Sequence, residues 1–298
     1  MSKAPLSPKN DLVFKLLFGE PTRLNILRAF LQAVLDLPAE EYARLVIVDP
    51  HLHREYPEDK LGILDVKIHT TSGKIIDVEI QVEPQSHIWE RVLFYAARLT
   101  TEQLKSGLPY NEIKKIVSII IVDWDITPQD STHYHHRFGL FDEKTGYRFP
   151  DLFEINTLEL PKLPGEPDGT PLYHWLKMFT ARTEEELAMV AKTSPEIATA
   201  VGVIMELSED ERTRLLAESR EKYRRDEEAR LEYREQKGRQ EGEQKGRQEG
   251  RQEGEQTGVR NVARSLLMEK YPVEKVAKVT GLTLEEVKAL ALELPSNH

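Results

Sequence analysis

The chain contains no cysteine. Disulfides, thiolate-ligated metals and cysteine nucleophiles are thereby excluded, and a reducing compartment is compatible with the composition. No apolar run is long enough to cross a bilayer, and the opening stretch MSKAPLSPKND lacks the apolar core of a secretory signal. The expectation is a cytoplasmic protein with no membrane contact. An excess of basic residues is also missing. The formal net charge is −10, which is awkward for a nucleic-acid binder, because phosphate contacts draw on Lys and Arg. The acid is unevenly spread: residues 1–125 carry −3, 126–207 carry −6, 208–258 carry −2 and 259–298 carry +1. Acidic metal ligands are in any case offset by the cation they bind. Charge alone leaves nucleic-acid chemistry open.

What is present suits a packed core joined to a solvated helix. Hydrophobic residues make up 39% of the chain, and the 31% charged fraction exceeds the usual quarter. Residues 10–35 read as an amphipathic helix with a break near Gly19-Glu20-Pro21. Leu45-Val46-Ile47-Val48 reads as a first strand. Residues 60–70 and 74–83 alternate and flank Thr71-Ser72-Gly73, which predicts a hairpin. A helix over 87–105 follows, then Ile116–Val122, apolar enough for an interior strand. Residues 133–160 suggest a second hairpin around Glu143-Lys144-Thr145-Gly146, and 172–207 look helical.

From 209 to about 256 the chain is polar, charge-mixed and helix-favouring, with glycine at 238, 242, 246, 250, 254 and 258. Each helical glycine costs roughly 0.8–1 kcal/mol relative to alanine. Small residues every four positions would let two helices approach closely, so this tail is expected to form a homo-oligomer; a fluctuating tail is the alternative. The last forty residues predict a small helical module in which Thr283 and Glu286 form a capping box. Its acidic second helix fits packing or oligomerisation better than DNA reading.

The chemistry concentrates in the first hairpin. Asp65 on one strand and Glu79 on the next fall on the polar face, as oxygen ligands for Mg²⁺ or Mn²⁺ should. The carbonyl of Ile80 adds a third donor. By itself the pattern also fits the wet side of an ordinary half-exposed hairpin. Arg91 and Tyr95, one helical turn apart, can both face the same cleft; alternatively Arg91 lies in solvent and Tyr95 in the core. His133 and His135 share a strand face, with no acidic partner at conventional spacing.

The stretch from Asp11-Leu12-Val13-Phe14-Lys15, through Leu64-Asp65-Val66, to Val78-Glu79-Ile80-Gln81 resembles the PD-(D/E)XK nuclease superfamily. Within it, the chain is similar to the recombination-promoting nuclease/putative transposase family. Arg91 with Tyr95, Leu158-Glu159-Leu160-Pro161-Lys162 and the glycine-punctuated tail add to the likeness. The resemblance implies an α/β fold: a restriction-endonuclease-like core (α-β-β-β-α-β) with an extra β-hairpin, followed by a helical C-terminal region. The expected organisation is a nuclease-like domain over 1–165, a helical extension over 166–207, the charged helix over 208–258 and the terminal module over 259–298. The likeness implies a bacterial, Mg²⁺-dependent endonuclease acting on DNA, linked to recombination or mobile DNA. Asp65, Glu79 and Gln81 would be catalytic, with Asp65, Glu79 and the Ile80 carbonyl on the metal and Asp11, Arg91 and Tyr95 supporting. Gln81 stands where the wider superfamily carries lysine, and glutamine offers hydrogen bonds without charge. The competing expectation is a catalytically degenerate relative that binds DNA or a partner and oligomerises as a regulatory factor.

Overall fold

The computed structural model describes residues 4–52, 63–104, 107–128 and 131–293. The chain divides into two units, residues 1–222 and residues 223–298. In the first, α1 (Asp11–Phe18) starts at Asn10, whose side-chain oxygen accepts from the amides of Leu12 and Val13. That satisfies donors which a helix start leaves without partners. A short 3₁₀ turn at Pro21–Arg23 then leads into α2 (Leu24–Val34). The interrupted helix expected over 10–35 is thus two helices, since proline fits a first turn and not a helix interior.

Next come β1 (Val46–Val48), β2 (Val66–His69), β3 (Ile75–Gln81), α3 (Ile88–Glu102), β4 (Ile116–Val122), β5 (His135–Phe138) and β6 (Phe153–Glu159). This is the anticipated α-β-β-β-α-β order with its added hairpin. Residues 60–62 of the expected first arm and residue 105 of the expected helix lie outside the described residues. The six strands form one sheet in the order β1-β2-β3-β4-β6-β5. β1, β2 and β3 run antiparallel, β3, β4 and β6 run parallel, and β5 pairs antiparallel with β6. Parallel neighbours need a crossover, which α3 supplies between β3 and β4.

The hairpin between β2 and β3 turns at Gly73, whose φ of +87° is open to glycine at no steric cost. Buried Glu41 accepts from the hydroxyls of Thr70 and Ser72 and pairs with Lys74, pinning the turn.

Every residue of β4 is buried, because both faces of the sheet are covered. On one face Val117, Ile119 and Ile121 join Val66, Val78 and Ile80 against α1, α2 and two later helices, α4 (Pro171–Thr180) and α6 (Pro195–Glu209). Between them lies α5 (Glu184–Val190). The helical run expected over 172–207 is therefore three helices, divided where Thr183 and Ser194 cap new starts. Phe14, Phe18, Phe30, Trp175 and Phe179 meet in this layer with ring centroids 5.0–6.2 Å apart. Such aromatic pairs add about 0.5–1.5 kcal/mol each beyond area burial. On the opposite face α3 lays Ile88, Val92, Tyr95 and Leu99 over the sheet.

In the second unit the end of α7 (Glu211–Met268) packs with α8 (Val273–Thr280) and α9 (Leu284–Glu293) through Ala263, Val276, Val287 and Leu290. The capping box forms as expected: Thr283 N–H donates to Glu286 Oε2, and Glu286 N–H donates back to Thr283 Oγ1. Residues 294–298 of the expected module lie outside the described residues. A Cβ added at any of the six repeat glycines would meet open space, so contacts among the described residues do not require them.

Candidate active site

Asp65 occupies the bend just before β2, and Glu79 lies on β3. The Val66↔Val78 register brings the two side by side. Each carboxylate is held by the other strand's backbone. Asp65 N–H donates to Glu79 Oε1 at 3.0 Å, and Ile80 N–H donates to Asp65 Oδ2 at 3.0 Å. In an extended strand a residue's N–H and C=O point to the same edge, so the Ile80 carbonyl also faces Asp65.

Alternation along β3 sends Ile76, Val78 and Ile80 to the α1–α2 layer and Asp77, Glu79 and Gln81 beneath α3. The acidic face is consequently dry, with Asp77 2% and Glu79 4% exposed. Burial, followed by the charge of Asp65, pushes the Glu79 carboxyl up to about 8, against the opposing pull of Arg91. The Asp77 carboxyl is also held well above the ordinary range, first by burial and then by Glu79 and Asp65. Its Oδ1 is buried without a hydrogen-bond partner among the described residues.

A polar network closes over the pair. Arg91 Nη2 donates to Glu79 Oε2 at 3.2 Å, and Gln81 Nε2 donates to the same oxygen at 3.1 Å. Gln85 Nε2 donates to Gln81 Oε1 at 2.7 Å, while Arg91 Nη1 donates to Gln85 Oε1 at 3.2 Å. The Arg91 guanidinium lies 5.2 Å from the Tyr95 ring centroid. From the opposite side of the sheet, Lys15 Nζ of α1 stands 3.0 Å from Asp65 Oδ1.

Asp65, Glu79, Ile80, Gln81, Arg91 and Tyr95 are therefore gathered in one place. Asp11 is not among them; its Oδ2 accepts from Arg220 at 3.0 Å. One turn further along α1, Lys15 reaches the cluster instead. His135 and His133 also go separate ways. His135 Nε2 is 2.9 Å from Asn156 Oδ1, whereas the ring of His133 stands against that of His136. Glu159 and Lys162 of the Leu158–Lys162 stretch pair at 3.1 Å, and fully buried Glu159 accepts from the amides of Ile126 and Thr127. They clamp the segment that follows β4. Sequence reasoning missed Asp77 and Lys15 as members of the cluster. For Asp77 the available signal was its position two residues before Glu79, on the same strand face.

The donors fit a hard divalent cation. Two carboxylates and a main-chain carbonyl are all oxygen, and raised carboxyls mark a place where positive charge is wanting. Among the described residues no group of three or more His, Asp or Glu is arranged to hold a metal.

A mixed sheet with helices on both faces and an Asp/Glu-x-Gln pair on adjoining strands defines an α/β protein of the PD-(D/E)XK type. The chain belongs to the PD-(D/E)XK nuclease family transposases, whose family model matches residues 8–234. Membership ties it to nucleases and to proteins of mobile DNA. No curated protein and no solved structure matches it. Among the described residues no helix is long and apolar enough to cross a membrane.

Proposed function

We propose that the chain is a divalent-metal-dependent endonuclease that hydrolyses DNA phosphodiesters in the bacterial cytoplasm, in the service of recombination or mobile DNA. The observation that carries this reading is the mutual backbone lock of Asp65 and Glu79. It preorganises two acceptors with the Ile80 carbonyl beside them, at no reorganisation cost during reaction. Asp65, Glu79 and that carbonyl would hold Mg²⁺, or Mn²⁺ as a substitute. The ion would supply a water of lowered pKa and positive charge for the phosphate.

The protein's own groups then act by position. Gln81, tethered to Glu79 and Gln85, orients the attacking water by hydrogen bonds. Arg91 fixes Glu79 and Gln81 together, and Tyr95 backs its guanidinium. The water oxygen forms a bond to phosphorus as the bond to one sugar oxygen breaks. The water loses a proton and the leaving oxygen gains one, so one strand end keeps the phosphate and the other a hydroxyl. The tail from 208 onward assembles copies of the chain, its glycines leaving room for a second backbone.

Supercoiled plasmid tests the reading. Nicking that requires Mg²⁺ or Mn²⁺ and stops in EDTA is the expected result. Binding to plasmid without nicking under any metal condition would favour the degenerate DNA-binding alternative.

A further inference from the structure

We propose that Lys15 is the catalytic cation of this site, supplying from α1 the positive charge that the Glu79-Ile80-Gln81 triplet lacks and contacting the scissile phosphate. The inference rests on the nuclease reading and assigns it a further residue.

Among the described residues three cationic side chains surround the acidic cluster, and they differ in what they have left to offer. Lys67 is 10% exposed and paired with Glu102 at 3.1 Å. Arg91 donates to Glu79, Gln81 and Gln85 and lies over Tyr95. Both are committed to holding the protein together. The Lys15 side chain is 35% exposed, and its ion-pair partner is Asp65 at 3.0 Å. An ammonium has three donors, so engagement with one carboxylate oxygen leaves capacity toward solvent, where a phosphate arrives. The oxygen it touches is Asp65 Oδ1, whereas Oδ2 is taken by the Ile80 amide.

The helix that delivers Lys15 is firmly placed. Asn10 caps its start, and Phe14 and Phe18 are fully buried in the aromatic layer. Lys15 thus projects from a fixed backbone on the α1 side of the sheet, while Arg91 approaches from the α3 side. Gln81 can orient a water but cannot neutralise negative charge on the phosphoryl oxygens. Lys15 can do so without leaving the carboxylate pair.

The test uses full-length wild type, Lys15→Met and Lys15→Arg. It combines single-turnover plasmid nicking at saturating Mn²⁺ with calorimetric titration of Mn²⁺. Lys15→Met should nick about 10²-fold more slowly, the scale of one lost electrostatic contact to developing charge. Its Mn²⁺ affinity should be unchanged or tighter, because a like charge beside the ligands is gone. Lys15→Arg should recover at least tenfold of the lost rate. If Lys15 only orients Asp65, Lys15→Met will bind Mn²⁺ more weakly and nick at the wild-type rate once saturated, which overturns the inference while leaving the nuclease reading intact. A wild-type chain that nicks no faster than Asp65→Ala overturns that reading and this inference with it.

Discussion

Asp65 and Glu79 lend each other's strands a hydrogen bond, and without a cation that closeness has an electrostatic cost. The folded chain raises the Glu79 carboxyl from 4.5 to about 8. A group raised on folding contributes stability that is fully present below its unfolded pKa and is lost as pH rises through the folded value. Buried Asp77 is shifted in the same direction. The metal-free protein should therefore melt lower at pH 8.5 than at pH 5, by roughly 3 °C for each kcal/mol lost. Glu79→Gln should flatten this dependence, and Mg²⁺ should restore the wild-type melting temperature at pH 8.5; thermal denaturation in EDTA and in Mg²⁺ reads both. A metal-free melting temperature that rises from pH 5 to 8.5 would contradict this electrostatic account. The alternation that puts Asp77, Glu79 and Gln81 on one face of β3 was legible in the sequence. The dryness of that face was not, because acidic residues at every second position read as solvated until α3 covers them. Nor does spacing alone tell which of Asp11 and Lys15, one turn apart on α1, turns toward the site.

At the scale of elements, the site depends on where two helices and a hairpin are anchored. Asn10→Ala removes the acceptor for the first free amides of α1 and should cost about 1 kcal/mol of stability. If α1 positions Lys15 as described, metal-dependent nicking should fall in the same variant, at temperatures where it remains folded. The hairpin was legible from Thr71-Ser72-Gly73, and Gly73 does adopt the left-handed conformation that the turn requires. The division of 172–207 was harder to read, since apolar periodicity continues across Thr183 and Ser194-Pro195. The start signals there mark new helices only once packing bends the chain. The long α7 was legible from composition, but its six repeat glycines have no packing partner among the described residues. Replacing all six with alanine should raise helicity, by about 1 kcal/mol per site. If the glycines admit a second backbone, the same change should lower the mass seen by light scattering, as should deletion of 236–298. Unchanged mass in both variants would show that the tail does not assemble the protein.

For the molecule as a whole, the net charge of −10 is compatible with the proposed DNA substrate because much of the acid lies outside the first 125 residues, and a bound cation would offset the site's own carboxylates. The participation of α4 and α6 in the same core as α1 and α2 was not legible locally, because no short-range pattern records which distant helix covers a strand. Family membership and the carboxylate lock support one proposed role: Asp65 and Glu79 would hold one ion at which phosphodiesters are hydrolysed. The most direct measurement is the Mg²⁺-dependent nicking rate of wild type, Asp65→Ala, Glu79→Ala and the double variant, all full length and checked for cooperative unfolding. Residues acting as a unit lose their effect together, so each single change should cost about 10³-fold or more and the double change no more than either alone. Nicking by Asp65→Ala or Glu79→Ala at the wild-type rate would contradict the account.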